Sequence, residues 1–234
     1  MSKSNIYTNG EYLHRNPTWN SQGVDWKAEQ ILKMLKRHQL DSGRVADVGC
    51  GSGKMIEELG RKFSNKSMFY GFEISPDAIR MCNKIKNKNI KFYLDDFVSD
   101  KKWKGYDLVL VADVIEHIEN YYEFLRNIRS RGKFKLFYIP LDISARSICM
   151  NSSFLIGRKK FGHLHHFSKI TAIAALEETG YEVVDSMYAP WSCELLGRSL
   201  RMRLMSPFRR LLFMINQDLT VRLLGGYSLI VLAR

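Results

Sequence analysis

The sequence predicts an α/β chain, a mostly parallel sheet with helices wound on both of its faces. Three observations predict it. Strand-like apolar runs alternate with helix-spaced ones from residue 44 to residue 139, the pattern of a doubly wound sheet. The run Tyr106-Asp107-Leu108-Val109-Leu110-Val111-Ala112 is almost continuously apolar, as a strand covered on both faces must be. The stretch Val45-Ala46-Asp47-Val48-Gly49-Cys50-Gly51-Ser52-Gly53 reads as a buried strand feeding a tight turn that opens a helix near Lys54.

Residues 1–25 are polar and aperiodic, with Tyr12, Pro17 and Trp19 standing out. They read as an N-terminal arm packed on the domain by its aromatics, with a flap over bound ligand as the other reading. Asp25 is placed to cap a helix over 26–38 whose apolar face is Ile31, Leu32, Met34 and Leu35. Lys27, near its start, reads as a solvated charge. Residues 44–49 are the first strand. A helix over 54–63 follows, with Met55, Ile56, Leu59 and Phe63 at helical spacing. Residues 67–73 form the second strand, and Ser75-Pro76 opens another helix, serine as cap and proline in its first turn. Residues 90–94 are the third strand, leading into Asp95-Asp96-Phe97, and 106–112 the fourth, leading into Asp113-Val114-Ile115-Glu116-His117. A helix over 121–128 and a fifth strand over 133–139, closed by Pro140, complete the regular part.

Residues 141–167 break the rhythm. They carry Arg146, Arg158, Lys159, Lys160 and the run Gly162-His163-Leu164-His165-His166-Phe167, with Phe167 as the anchor of the loop. A long excursion at the carboxyl end of a sheet is a candidate substrate-side insertion. A helix over 169–179 and a sixth strand over 181–187 follow. Residues 191–225 are a second excursion, and 227–232 the last strand.

At 234 residues the chain is expected to be a single domain. Cys50, Cys82, Cys149 and Cys193 are widely separated, which suits a reducing compartment. The N-terminus lacks the apolar core of a signal peptide, and no stretch reaches about 20 apolar residues. A cytoplasmic location is therefore expected, with membrane association as an addition to it. The formal charge of +12 admits nucleic acid, an anionic lipid surface or an anionic small substrate. Its lysines are scattered and no aromatic-and-basic RNA module is present, which makes nucleic acid the weaker partner.

The glycine turn favours one kind of ligand. A dinucleotide site wants G-x-G-x-x-G, whereas here the spacing is G-x-G-x-G and Lys54 stands at the third position. Glu73 ends the second strand 20 residues beyond Gly53, where a carboxylate can accept both ribose hydroxyls of a nucleoside. The stretch from Val45 to Gly53 resembles the first motif of the class I methyltransferases that use S-adenosylmethionine. The resemblance covers residues 26–140 well, and 168–188 and 226–233 loosely. It implies a three-layer, Rossmann-like methyltransferase fold with a seven-stranded sheet whose last strand inserts antiparallel beside the sixth. It also implies a cofactor site from Asp47, Gly49, Cys50, Gly51, Gly53, Glu73, Ile74, Asp96, Phe97 and Asp113. Asp47 would lie near the amino-acid end of the cofactor. Asp96 would receive the adenine amino group beside Phe97, with Asp95 as the alternative acid.

The segment Asp113-Val114-Ile115-Glu116-His117 resembles one in the O-methyltransferases of quinone biosynthesis and in the small-RNA 2′-O-methyltransferases. In both, such residues can hold a divalent cation. As a helix it would put Asp113, Glu116 and His117 on one face, with His163, His165 or His166 as a fourth ligand for Mg²⁺ or Zn²⁺. The favoured reading has no metal: Asp113 touches the cofactor, Glu116 makes a local ion pair and His117 lines the pocket. His117, His163 and His166 are the candidate catalytic residues, since an imidazole is suited to take a hydroxyl proton. No Asn-Pro-Pro-Tyr-like segment follows the fourth strand, which argues against amino-methylation of DNA bases. Between 191 and 225, arginines alternate with Leu, Met and Phe, opposed only by Glu194 and Asp218. That is a basic amphipathic lid, or a segment that touches an anionic membrane. The expected function is methyl transfer from S-adenosylmethionine to an oxygen of a small or lipid-linked molecule. An N-methyltransferase and an RNA-contacting protein of this fold are the alternatives.

Overall fold

The computed structural model describes residues 6–19, 23–64, 66–150, 152–190 and 200–234. Its strands are β1 (Arg44–Val48), β2 (Met68–Glu73), β3 (Ile90–Leu94), β4 (Tyr106–Ala112), β5 (Gly132–Leu141), β6 (Val183–Ala189) and β7 (Tyr227–Ala233). They form one sheet in the order β3-β2-β1-β4-β5-β7-β6. The first five pair in parallel, and β7 inserts antiparallel between β5 and β6. This is the sheet expected from the sequence.

Alternation of side chains across the strands divides the core in two. Val45, Leu108, Leu110, Leu136 and Ile230 pack against α2 (Val24–Arg37) and α3 (Lys54–Lys62). Their neighbours Ala46, Val48, Val109, Val111 and Val231 face α5 (Tyr121–Ile128) and α8 (Lys169–Glu178). Short α1 (Glu11–Arg15) lies in the arm, and α4 (Pro76–Cys82) joins β2 to β3. The Ser75 hydroxyl accepts from Ala78 N–H as its cap. The insertion after β5 holds α6 (Ala145–Cys149) and α7 (Ser152–Ile156), and the second excursion holds α9 (Leu200–Ile215) and α10 (Gln217–Leu224).

Two local expectations are corrected. Helix α2 begins after Gly23, whose φ of 71° the turn requires, so Asp25 lies in the first turn, where its charge complements the helix dipole. Pro140 does not close β5 but sits inside it, opposite Ser228 of β7. That position is tolerable because β4 has ended at Ala112, opposite Tyr138. Cys193, Glu194 and Arg198 lie outside the described residues, as do the side chains of Leu200, Arg201, Met202, Arg203 and Leu204.

The chain leaves β1 toward β2 and β3, then returns to β4 on the other side. The crevice at the carboxyl ends of β1 and β4 is where an open α/β sheet admits ligands.

Candidate functional site

At that crevice lies a cavity of about 810 Å³. Its floor is the turn after β1. Gly49, Gly51 and Gly53 all have left-handed backbones, φ 71°, 55° and 76°. Space demands glycine as well: a Cβ on Gly51 would stand 2.7 Å from the Trp19 indole, and one on Gly49 2.9 Å from Val114. The turn is braced from behind. Glu73 accepts from Gly51 N–H at 2.9 Å with one oxygen, and from Ile74 and Ser75 N–H at 2.8 and 2.9 Å with the other. The Cys82 thiol donates to the Gly51 carbonyl at 3.1 Å. Glu73 thus holds the shape of the turn from a buried position, and its pKa is raised by burial in spite of those three bonds.

Asp47, next to last in β1, lines the cavity and is 2% exposed. One of its carboxylate oxygens has no hydrogen-bond partner among the described residues. Burial, reinforced by the nearby charge of Glu73, pushes its pKa up to about 8. A buried carboxyl at the cavity wall, with a hydrogen-bond acceptor to spare, can receive a cation. Together with the glycine cradle it fits the ammonium end of an amino-acid-bearing ligand such as S-adenosylmethionine.

After β4 the chain does not continue as a helix. Asp113 takes a left-handed φ of 53° and donates its N–H to Tyr138 O at 2.9 Å, and a single 3₁₀ turn spans Ile115–His117. This separates the three residues expected on one face. The Asp113 carboxylate pairs with Lys27, which also lies 4.9 Å from the Tyr138 ring. Lys27 is therefore a largely buried ion-pair partner, and the reading as a solvated charge is corrected. Glu116 is fully buried and, among the described residues, neither of its oxygens has a hydrogen-bond partner; burial, then Asp113, raises its pKa strongly. Its local partner is His117, whose Nε2 lies 3.8 Å away, beyond hydrogen-bond reach. His117 lines the cavity, and burial, then His163, pushes its pKa down to about 4. A base that weak stays neutral at pH 7 and draws protons poorly.

The histidine loop docks on this turn, with Leu164 and His165 N–H both reaching Glu116 O at 2.7 and 3.1 Å. Phe167 is buried and fixes the loop. Asp142, the first residue after β5, accepts from Nδ1 of both His163 (2.8 Å) and His166 (2.9 Å). Burial alone would raise the Asp142 pKa, but the two imidazole bonds outweigh it and hold the carboxyl below its usual range. An ionised carboxylate only accepts, so both Nδ1 atoms carry protons and Nε2 is the atom of each ring that can offer a lone pair. His163 lines the cavity; His166 stands behind it, edge-on to Phe154 at 4.8 Å. His165 turns away to Glu119 O at 3.1 Å.

Among the described residues, ligand atoms of Glu116, His117 and His163 lie within 4.8 Å of one another, as do those of Asp142, His163 and His166. The first set, two imidazoles and an unpartnered buried carboxyl, fits a divalent cation such as Zn²⁺. Asp113 belongs to neither set.

The adenine side looks different from expectation. Asp96 is exposed and accepts from Val98 N–H at 3.0 Å. Phe97 is 1% exposed, its ring 4.7 Å from Phe72 in the core. Asp95 accepts from Trp103 Nε1 at 2.9 Å. Gly53, Glu73, Ile74, Asp96 and Phe97 do not line the cavity, whereas Asp47, Gly49, Cys50, Gly51, Asp113, His117 and His163 do. The roof is the arm: Arg15 reaches Lys159 O and Asn16 reaches Lys160 O, at 2.8 and 3.1 Å, and Trp19 lies over Gly51. Sequence reasoning missed Asp142, although it follows a strand end, the signal that picked out Asp47 and Glu73; Trp19 was singled out as an aromatic of the arm, without its place over Gly51.

A family model described as a methyltransferase domain matches residues 24–186. A ubiquinone biosynthesis O-methyltransferase of Rickettsia bellii is 32% identical over 108 residues, 44% of this chain and 44% of the relative. The chain thus aligns with less than half the length of that protein. Two solved structures share the fold. N-methyltransferase NodS of Bradyrhizobium japonicum, in complex with S-adenosyl-L-homocysteine, superposes with TM-score 0.62 at 18% identity, covering 98% of both chains. Magnesium protoporphyrin IX methyltransferase of Synechocystis, also with that product bound, gives TM-score 0.60 at 15% identity over 90% of this chain and 83% of the other.

Proposed function

This chain belongs to the methyltransferase-domain family, the enzymes that use S-adenosylmethionine, and we propose that it methylates a hydroxyl oxygen of a small or lipid-linked molecule. The observation that carries the oxygen assignment is the Asp142–His163 pair on the cavity wall, a base fixed in one tautomer. When bound, the cofactor supplies a methyl on a cationic sulfur that is already reactive. Asp47 takes the ammonium of its amino-acid end, and the glycine turn, held by Glu73 and Cys82, lets the ligand approach the backbone. His163 takes the hydroxyl proton at Nε2 while its Nδ1–H remains on Asp142, whose negative charge favours the resulting imidazolium. The arm and the insertion exclude water and orient the acceptor, and that placement supplies much of the acceleration.

The test is single-turnover transfer from carbon-13 methyl-labelled cofactor to matched alcohols and amines. The expected product carries an O–CH₃ carbon; an N–CH₃ product in its place overturns the reading in favour of the N-methyl alternative.

Exhaustive chelation is expected to leave turnover unchanged, because the base needs only Asp142. Loss of activity restored by Zn²⁺ or Mg²⁺, and abolished by Glu116→Gln, would instead make His163 a metal ligand beside Glu116 and His117.

A further inference from the structure

The second excursion and the substrate-side insertion form one connected layer: α7 packs on α6, α6 on α10, and α10 on α9. Its inner side is fully engaged. Phe213 stacks on Tyr227 with ring centroids 5.2 Å apart, Val221 and Thr220 are buried, and Arg209 binds the Gly225 carbonyl. Two of its helices carry exposed apolar side chains: Leu155 and Ile156 on α7, and Phe208, Leu211, Met214 and Ile215 on α9, each expose more than half of their surface, Met214 75% and Ile215 72%. Exposed side chains of this size within one layer of helices mark an interaction surface.

The charge written into the same segments of the sequence points to the partner. Residues 143–162 contain Arg146, Arg158, Lys159 and Lys160 and no acid; residues 195–217 contain Arg198, Arg201, Arg203, Arg209 and Arg210 and no acid. The next acid, Asp218, is held by Lys169 and Tyr188. A second copy docking on this face would set like charge against like, whereas an anionic bilayer complements both the apolar ridge and its basic flanks. No described helix is long and apolar enough to cross a membrane, so contact would be with the surface.

We infer that this layer docks on an anionic lipid surface. The same helices wall the cavity: Ser147 on α6 and Leu224 and Gly225 at the end of α10 line it. A lipid-linked acceptor therefore reaches His163 from the bilayer side. That second step rests on the methyl-transfer reading; the docking does not.

Flotation with phosphatidylcholine–phosphatidylglycerol vesicles tests it, with no turnover involved. The full chain is expected to float with these vesicles, to bind pure phosphatidylcholine on the order of tenfold more weakly, and to be released by high salt. The pairs Met214→Ser/Ile215→Ser and Arg158→Glu/Lys159→Glu are each expected to lower binding on the order of tenfold. Their affinity for S-adenosylhomocysteine by titration calorimetry and their melting temperatures should stay at the parent values, showing that the variants fold. The inference is overturned if the chain does not float, if neutral vesicles bind it equally, or if both pairs bind like the parent. It is also overturned if the parent is a dimer that Met214→Ser/Ile215→Ser converts to a monomer. A chain that floats yet transfers no methyl to any alcohol would leave the docking standing and sink the catalytic reading alone.

Discussion

Replacing His163 by glutamine is expected to lower kcat about 10²-fold or more while leaving the affinity for S-adenosylhomocysteine within about twofold. The expectation follows from the pairing of His163 with Asp142 at 2.8 Å and from the place of His163 in the cavity wall. Glutamine keeps a polar side chain of similar reach but has no lone pair basic enough to hold the acceptor's proton. His166 binds the same Asp142 oxygen from behind, so His166→Ala should cost less, through the orientation of Asp142 alone. Asp142→Asn removes the charge that favours an imidazolium on His163, and it should depress kcat more than KM. Equal losses in His163→Gln and His166→Ala, or a collapse of product affinity in His163→Gln, would assign the loop a structural task and leave the base unidentified.

The second large effect concerns Asp47. Its ordinary pKa of 3.8 is pushed up to about 8 in the folded, ligand-free chain. The neutral form predominates at pH 7, but an ammonium ligand requires the ionised one. Binding therefore releases a proton, and affinity for S-adenosylhomocysteine should rise up to about tenfold per pH unit between pH 6 and pH 8, then level off. Titration calorimetry across that range measures the slope directly, and buffers of different ionisation enthalpy report the proton. In Asp47→Asn the slope should vanish, and affinity at pH 8 should drop on the order of 10- to 100-fold, the worth of a hydrogen bond to a charged group. Stability of the empty protein runs the opposite way. A carboxyl whose folded pKa exceeds its unfolded one stabilises the fold at low pH, and that contribution is lost as pH rises from about 4 toward 8. The ligand-free parent should accordingly melt lower at pH 8 than Asp47→Asn. A flat affinity profile in the parent would refute the assignment of Asp47 as the cation receptor.

Much of the fold could be read from residues alone, because its signals are short-range. The bounds of β3, β4 and α5 match the periodic apolar runs at 90–94, 106–112 and 121–128. The Ser75 cap and the glycine turn were equally visible, since a cap bond spans three residues and a left-handed backbone is a property of single positions. Asp47 and Glu73 could be singled out because both lie at the carboxyl ends of strands whose tips must meet at the crevice. The task of Glu73 could not be: its type and place allowed a ligand contact, and only the folded turn shows its oxygens taking three backbone N–H groups.

The amino-acid sequence by itself determined the doubly wound sheet, the glycine-lined crevice and some of the groups that line it, Asp47, His117 and His163 among them. Only the tertiary structure decided how those groups pair. Lys27 meets Asp113 across 86 positions, Asp142 collects His163 and His166 across 21 and 24, and the arm brings Trp19 over Gly51. Local propensity is silent on such contacts, because each depends on where packing closes a long loop. A carboxylate at a strand end is free to bind ligand, brace a turn or orient an imidazole. Which of these it does is set by whatever donor the rest of the chain delivers within 3 Å of its oxygens.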